Sequence, residues 1–345
     1  MTETAFSLHD VASANWPELI ACFRDAEFEQ SLTYTKAAAE RVGARLRFVS
    51  INRGGASVAA AALRIKTLPL FGRGIAWLPS GPVTRTGAAV PDEQTQIAIL
   101  SALRKQFAEK EGHVLRLRMP GAAFCEPAEF SRIAHMAGFS KTSHTPYCSY
   151  AIDLDKDDDA LMAQFKGKWR TDLRYALRSD LTLEQGNSPD LQTRFLSLFQ
   201  QTQQDKGFQP DITPQFHFAL AGPDMRHQIL IARKDNQDIA GIVIGICGSS
   251  AVYLFGATSD AGRQVRAGYF LTWQGISLAR AQGAAWYDLG GIDAVANPDV
   301  ARFKERMNGS YIDAPVFEAL PGGLSSTVIK SAEYIYQRLK GRRAG

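Results

Sequence analysis

The sequence predicts an α/β (α+β) protein of two similar lobes in tandem, each a mixed, mostly antiparallel sheet flanked by helices. Length carries part of this expectation, since 345 residues exceed what one small domain fills. Composition carries another part, because 45% hydrophobic and 10% aromatic residues suffice for a substantial core. The third observation is an order of signals that runs through the chain twice: strand, tight turn, strand, strand, helix, strand.

In the first copy, "RLRFVSINRGGASVAAAALRIK" reads as a hairpin, because Arg53-Gly54-Gly55 separates two apolar runs. "GRGIAWLPSGPV" supplies a third strand. Ile97, Ile99, Leu100, Leu103 and Phe107 then give "QTQIAILSALRKQFAEKEG" one apolar face, hence a helix, and "HVLRLRM" closes the copy as a strand. In the second copy, "HQILIARKDNQDIAGIVIGICG" turns at Asp235-Asn236 and "AVYLFGATSD" supplies the next strand. "GYFLTWQGISLARAQG" is a helix that stops at Gly283, and "AAWYDLGG" is the last strand. The copies set expected domains of 1–150 and 151–345, the second holding a basic helix at 159–179 and the C-terminal helix.

Between the copies, Asp157 to Asp159 supply an N-cap and an acidic first turn. Leu161, Phe165, Trp169, Leu173 and Leu177 then recur every fourth residue as a core-facing stripe. One position further along, Lys166, Arg170, Arg174 and Arg178 recur at the same interval. A step of four advances about 40° around a helix, so these cations form a slowly winding basic ridge. It is either a solvated face or a site for an anion. The overall charge of +4 permits an anionic partner without demanding one.

Several classes are excluded. Cys22, Cys125, Cys148 and Cys247 form no CxxC pair, so a reduced, cytosolic setting without disulfides is expected. The six histidines show no HExxH or HxE spacing, and no metal is expected. There is no GxSxG elbow or Walker loop. The opening "MTETAFSLHDVASANW" lacks the basic and apolar regions of a signal peptide, and "IAGIVIGICG" is half the length of a membrane span.

One stretch asks for chemistry. In "YDLGGIDAVANPDVARFKERMNGSYID" a buried strand ends in Asp288, breaks at Gly290-Gly291, and a polar loop then returns Lys304 toward it. A plain core has no need of this, whereas a site handling a developing oxyanion does.

Taken in order, several segments together resemble the FemABX family of aminoacyltransferases, which are built from two acetyltransferase-like (GNAT) lobes. "FEQSLTYTKAAAERVG" is similar to the family's Q-S-x-x-aromatic helix, and "WLPSGPV" to its P-R-G-P segment. "FKGKWRTDLRYALRSDLTLE" resembles its basic helix, and "FQQTQQDKGF" its T-x-x-R-x-G-F helix end. "YLFGATSD", "YDLGGI" and "RFKERMNGSYI" look like its closing signatures. The resemblance implies transfer of an amino acid from aminoacyl-tRNA to an amine of a UDP-linked or lipid-linked muropeptide, with no further cofactor. It also implies a cytoplasmic enzyme, at the inner face of the membrane where the precursor is lipid-linked, and a monomer is expected.

By the same resemblance Lys304 is the oxyanion donor, a role that suits an ammonium. Arg170 and Arg174 match positions that grip the precursor's phosphates, and Lys36 falls near another. Tyr253 matches a site tyrosine, with a core-filling strand aromatic as the other reading. Asp288 either orients Lys304, accepts the amine's proton, or caps the Gly-Gly turn.

The pattern is departed from where Met307 and Asn308 replace an aromatic and a glycine, and where Ser80 replaces an arginine. No heptad-rich insertion of about sixty residues occurs, so no coiled-coil arm is expected and the donor stays open. The alternative is a GNAT-type acyltransferase using acyl-CoA on an amine or sugar. Its phosphate loop would be "RQVRAGYFLTW", in which Arg266 stands where a glycine is wanted. The final helix, "VIKSAEYIYQRLKGRR", has Val328, Ile329, Ala332, Ile335 and Leu339 near one face and a basic end. It either packs on the body or makes a peripheral contact with an anionic membrane.

Overall fold

The computed structural model describes residues 6–87, 89–121, 126–206, 211–220 and 222–343. Cys125 and the Gly207-Phe208 end of the helix motif lie outside the described residues, as do the side chains of Lys340, Arg342 and Arg343. The chain divides into two compact units, residues 1–146 with 313–345, and residues 147–312.

Among the described residues, fourteen strands build two seven-stranded sheets. In chain order they are β1 (Phe6–Asp10), β2 (Arg45–Arg53), β3 (Ala56–Thr67), β4 (Gly74–Leu78), β5 (Val114–Arg118), β6 (Ser140–Lys141) and β7 (Tyr147–Asp153). Then follow β8 (Thr182–Gly186), β9 (Arg226–Lys234), β10 (Gln237–Cys247), β11 (Ser250–Thr258), β12 (Trp286–Asp288), β13 (Ser310–Ala314) and β14 (Val316–Ala319). The sheets run β1-β2-β3-β4-β5-β14-β6 and β13-β7-β12-β11-β10-β9-β8. Each contains a parallel pair, β4 with β5 and β11 with β12, among antiparallel neighbours. The two expected hairpins form: β2 and β3 join through Gly54 and Gly55, β9 and β10 through Asp235 and Asn236, all four with positive φ as a tight two-residue turn requires.

The segment after residue 312 corrects the expected domains. It returns to the first unit, where β14 pairs antiparallel with β5 and Val316, Phe317 and Ala319 are buried. The Leu324–Arg343 helix belongs there too. Its Ile329 is buried, and Arg116 on β5 donates to Glu333 at 2.8 Å and to Glu318 at 2.9 Å. Reciprocally, β7 pairs with β12 in the second sheet. A short apolar strand thus fills the place beside the central parallel strand of each sheet.

The basic helix is also corrected. It breaks into Asp158–Gln164 and Gly167–Leu177 because Phe165 and Lys166 are extended. Asp157 caps the first helix through Ala160 N at 2.8 Å. Arg170 Nη1 closes its other end, donating to Ala163 O and Phe165 O at 3.0 and 2.9 Å. Leu161, Phe165, Trp169 and Leu173 are buried against the Ala267–Ala281 helix and the second sheet, whereas Leu177 is exposed.

Candidate active site

Parallel pairing of β11 with β12 lasts three residues: Ser250 with Trp286, Ala251 with Tyr287, Val252 with Asp288. Immediately beyond, β11 bulges. Val243 pairs with Phe255 and Ile244 with Tyr253, leaving Leu254 as the extra residue. The place where pairing ends is a cleft of about 470 Å3, walled by Tyr253 to Gly256 on one side and Leu289 to Gly291 on the other. Phe199, Phe255 and Phe303 make it largely apolar, and Lys304, Thr272, Asn297 and Asp299 supply polar groups.

Lys304 reaches the cleft from the Pro298–Glu305 helix, where the sequence predicts a polar loop. Pro298 starts it in the first-turn position that proline tolerates. Lys304 is 7% exposed, and its Nζ donates to Gly290 O and Gly291 O, each at 2.9 Å. An ammonium has three N–H groups, so one remains for a ligand. The Tyr253 ring centroid is 5.6 Å from Nζ. Burial pulls the lysine down to about 8, against the pull of nearby Asp288 in the other direction. The side chain is therefore mainly cationic at neutral pH, yet close to releasing its proton.

Gly290 makes the arrangement possible. Its φ is +79°, and a Cβ there would overlap the Tyr253 carbonyl oxygen. Asp288 holds the same turn. It accepts from Gly290 N at 2.8 Å, from Tyr147 OH at 2.9 Å, and from Ser149 Oγ. Among the described residues Lys304 makes no ion pair, so Asp288 acts on it through the turn and through space. Desolvation raises the Asp288 carboxyl while these donors lower it. Tyr253 stays a neutral phenol because burial pushes it up, and its hydroxyl lies where a Cβ on Gly256 would be.

The third wall is the start of the Ala267–Ala281 helix, where Gly268 lines the cleft with open space above it. Arg266, just before it, has φ +59°, the left-handed value that favours glycine. Its side chain does not crowd the cleft as expected. It is drawn aside to Asp172 at 3.3 Å and to Arg263 O at 2.8 Å, leaving backbone N–H groups at the positive end of a helix dipole.

The structure therefore brings Lys304, Tyr253 and, one layer behind, Asp288 together. Arg170 and Arg174 are not among the residues lining the cleft; Arg170 is spent on helix carbonyls and Arg174 is exposed. Lys166, also on the ridge, pairs with Glu305 at 2.6 Å. Lys36 lies in the first unit, exposed on the Leu32–Val42 helix at a separate concavity. Ser80 has φ +44° and bonds Glu29 at 2.8 Å, with Arg118 donating to it at 3.0 Å. Tyr147 and Ser149 carry no signal in the sequence, since they sit on β7, whose place beside β12 no local pattern reveals. No group of three metal-binding side chains occurs among the described residues, and no helix there is long and apolar enough to cross a membrane.

Residues 163–305 match the family model described as an acetyltransferase (GNAT) domain. A crystal structure of FemX superposes with a TM-score of 0.75 at 16% identity, over 91% of this chain and 97% of that one. The fold is that of FemX, a double GNAT fold. The C-terminal domain of a putative lysylphosphatidylglycerol synthetase from Agrobacterium fabrum is also similar, with a TM-score of 0.54 at 13% identity, over 93% of this chain and 96% of that one. So is a conserved protein of unknown function from Bacteroides thetaiotaomicron, with a TM-score of 0.54 at 11% identity, over 91% and 99%. No curated protein matches the sequence. In this FemX-like frame the cleft lies inside the GNAT-matching stretch, together with Lys304.

Proposed function

We propose that this chain is an acyltransferase of the Fem/GNAT type, and that it joins an amino acid borne by aminoacyl-tRNA to an amine of a peptidoglycan precursor in the cytoplasm. The observation that carries this reading is the Lys304 ammonium, held by two carbonyl oxygens with one N–H to spare at the wall of a largely apolar cleft. A neutral amine attacks the ester carbonyl, and its oxygen becomes an oxyanion. Lys304 donates to that oxygen from a place where no reorganisation is needed. The C–N bond forms, the ester C–O bond breaks, and the amine's surplus proton leaves with the ribose oxygen. Tyr253 and the Gly290-Gly291 turn position the lysine, and Asp288, Tyr147 and Ser149 hold the turn.

A second reading, acyl transfer from acyl-CoA, is favoured by one feature. Gly268 and the exposed start of its helix suit a pyrophosphate, and Arg266 is turned away from them. Supplying the purified protein with charged tRNAs or acetyl-CoA, beside a UDP-linked muropeptide, separates the two. Transfer from charged tRNA supports the first reading, and transfer from acetyl-CoA alone sinks it in favour of the second.

A further inference from the structure

We propose that one end of the first unit is a docking surface for the anionic face of a lipid bilayer. Two elements meet there. The loop between β3 and β4 carries Leu70 at its tip, fully exposed and with φ +64°, beside exposed Phe71. A left-handed backbone is unfavourable for leucine, and Leu70 packs on nothing, so it contributes nothing to the fold that a glycine would not. From the same loop Arg73 donates to Ser325 Oγ at 2.5 Å, tying the tip to the start of the Leu324–Arg343 helix. On that helix Leu324, Val328, Ile335 and Leu339 are all exposed. At about 100° per residue they fall within an arc of about 60°. Ser325 and Ile329, about one-quarter turn further round, are buried. An apolar stripe therefore runs from the apolar loop tip along the flank of a helix.

Charge selects the occupant. Beside the loop tip is a depression of about 400 Å3 lined by Gly43, Arg45, Ile65, Lys66, Thr67 and Gly72, two cations and no acid. Burial holds the nearby His113 low, and Arg45 and Arg73 press it in the same direction against Glu111, which is itself paired with Arg47. Arg338 lies over the Tyr334 ring on the helix. The acids of this helix and of β14, Glu333 and Glu318, are taken up by Arg116 and Lys330. Exposed apolar side chains flanked by cations that make no ion pair among the described residues, Lys66 donating only to Val42 O, match a surface whose phosphates lie just above its hydrocarbon. They are spread over a tip and a flank rather than gathered in a groove, which suits a bilayer better than a partner helix.

The inference stands apart from the acyl-transfer reading, because its test needs no donor or acceptor. The full chain is sedimented with vesicles of phosphatidylcholine alone and of phosphatidylcholine mixed with phosphatidylglycerol. Binding is expected to the mixed vesicles only, weakened by salt. Leu70→Glu, Leu324→Glu, and Arg45→Glu with Lys66→Glu are each expected to weaken it about tenfold. Unfolding midpoints should not move, since these side chains are exposed. No sedimentation with either vesicle overturns the proposal, as does binding that Leu70→Glu and Leu324→Glu leave intact. A dimer in light scattering that the same variants split, without vesicle binding, overturns it in favour of a second copy of the chain.

Discussion

Two kinds of buried base make stability fall as pH falls, each in its own window. His217 and His227 touch through Nδ1 and Nε2 at 3.2 Å, and burial drives them down to about 3 and about 4. They are neutral when folded, while the unfolded chain takes up protons near pH 6.5. Their stabilisation is present above that pH and is lost as pH falls toward 4, by about 2 kcal/mol for each histidine at pH 5. Urea unfolding at pH 7 and pH 5 measures this, and a His217→Phe, His227→Leu variant is expected to show a shallower fall. Lys304 follows the same sign at higher pH. Its drop from 10.5 to about 8 disfavours the folded ammonium by about 3 kcal/mol, and stability recovers as pH rises from 8 to 10.5. Transfer that needs the ammonium declines over the lower part of that range. The pH profile of turnover is expected to carry an alkaline limb near 8, absent if another group supplies the oxyanion contact.

At the scale of the element, the Asp288–Gly291 turn decides whether Lys304 has anywhere to point. Gly290→Ala introduces a Cβ against the Tyr253 carbonyl at a φ that alanine avoids. It should cost about 2–3 kcal/mol of stability and reduce turnover by more than tenfold. Denaturant midpoints and initial rates check both. Much of this element was legible in the sequence: the acid, the two glycines and the distant lysine stood out because a plain core has no use for them. The helix carrying the lysine was not legible, since its eight residues make less than three turns and Val300 and Phe303 alone mark its apolar side. Nor was the break at Phe165-Lys166, where a regular four-residue spacing of apolar residues runs straight through two helices. Periodicity survives a kink when both segments bury the same face.

For the whole molecule, the repeated order of signals foretold two like sheets because every hairpin in it is local. The placing of β7 beside β12 and of β14 beside β5 was hidden, since both pair with strands far away in sequence, and the four residues of β14 carry little pattern. It has a consequence for folding. Residues 1–146 alone leave β5 without β14, and leave Arg116, 6% exposed, without either of its carboxylates. That fragment is expected to be insoluble or molten, and linking residues 313–345 to it is expected to restore a cooperative transition by circular dichroism.

The most direct test is Lys304→Met in a single-turnover assay with charged tRNA and a UDP-linked muropeptide, alongside a binding measurement for the muropeptide. Turnover is expected to fall about a hundredfold or more while muropeptide affinity is kept, the pattern of a donor used only in the transition state. Unchanged turnover, or turnover lost only in proportion to muropeptide affinity, would contradict the role given to Lys304.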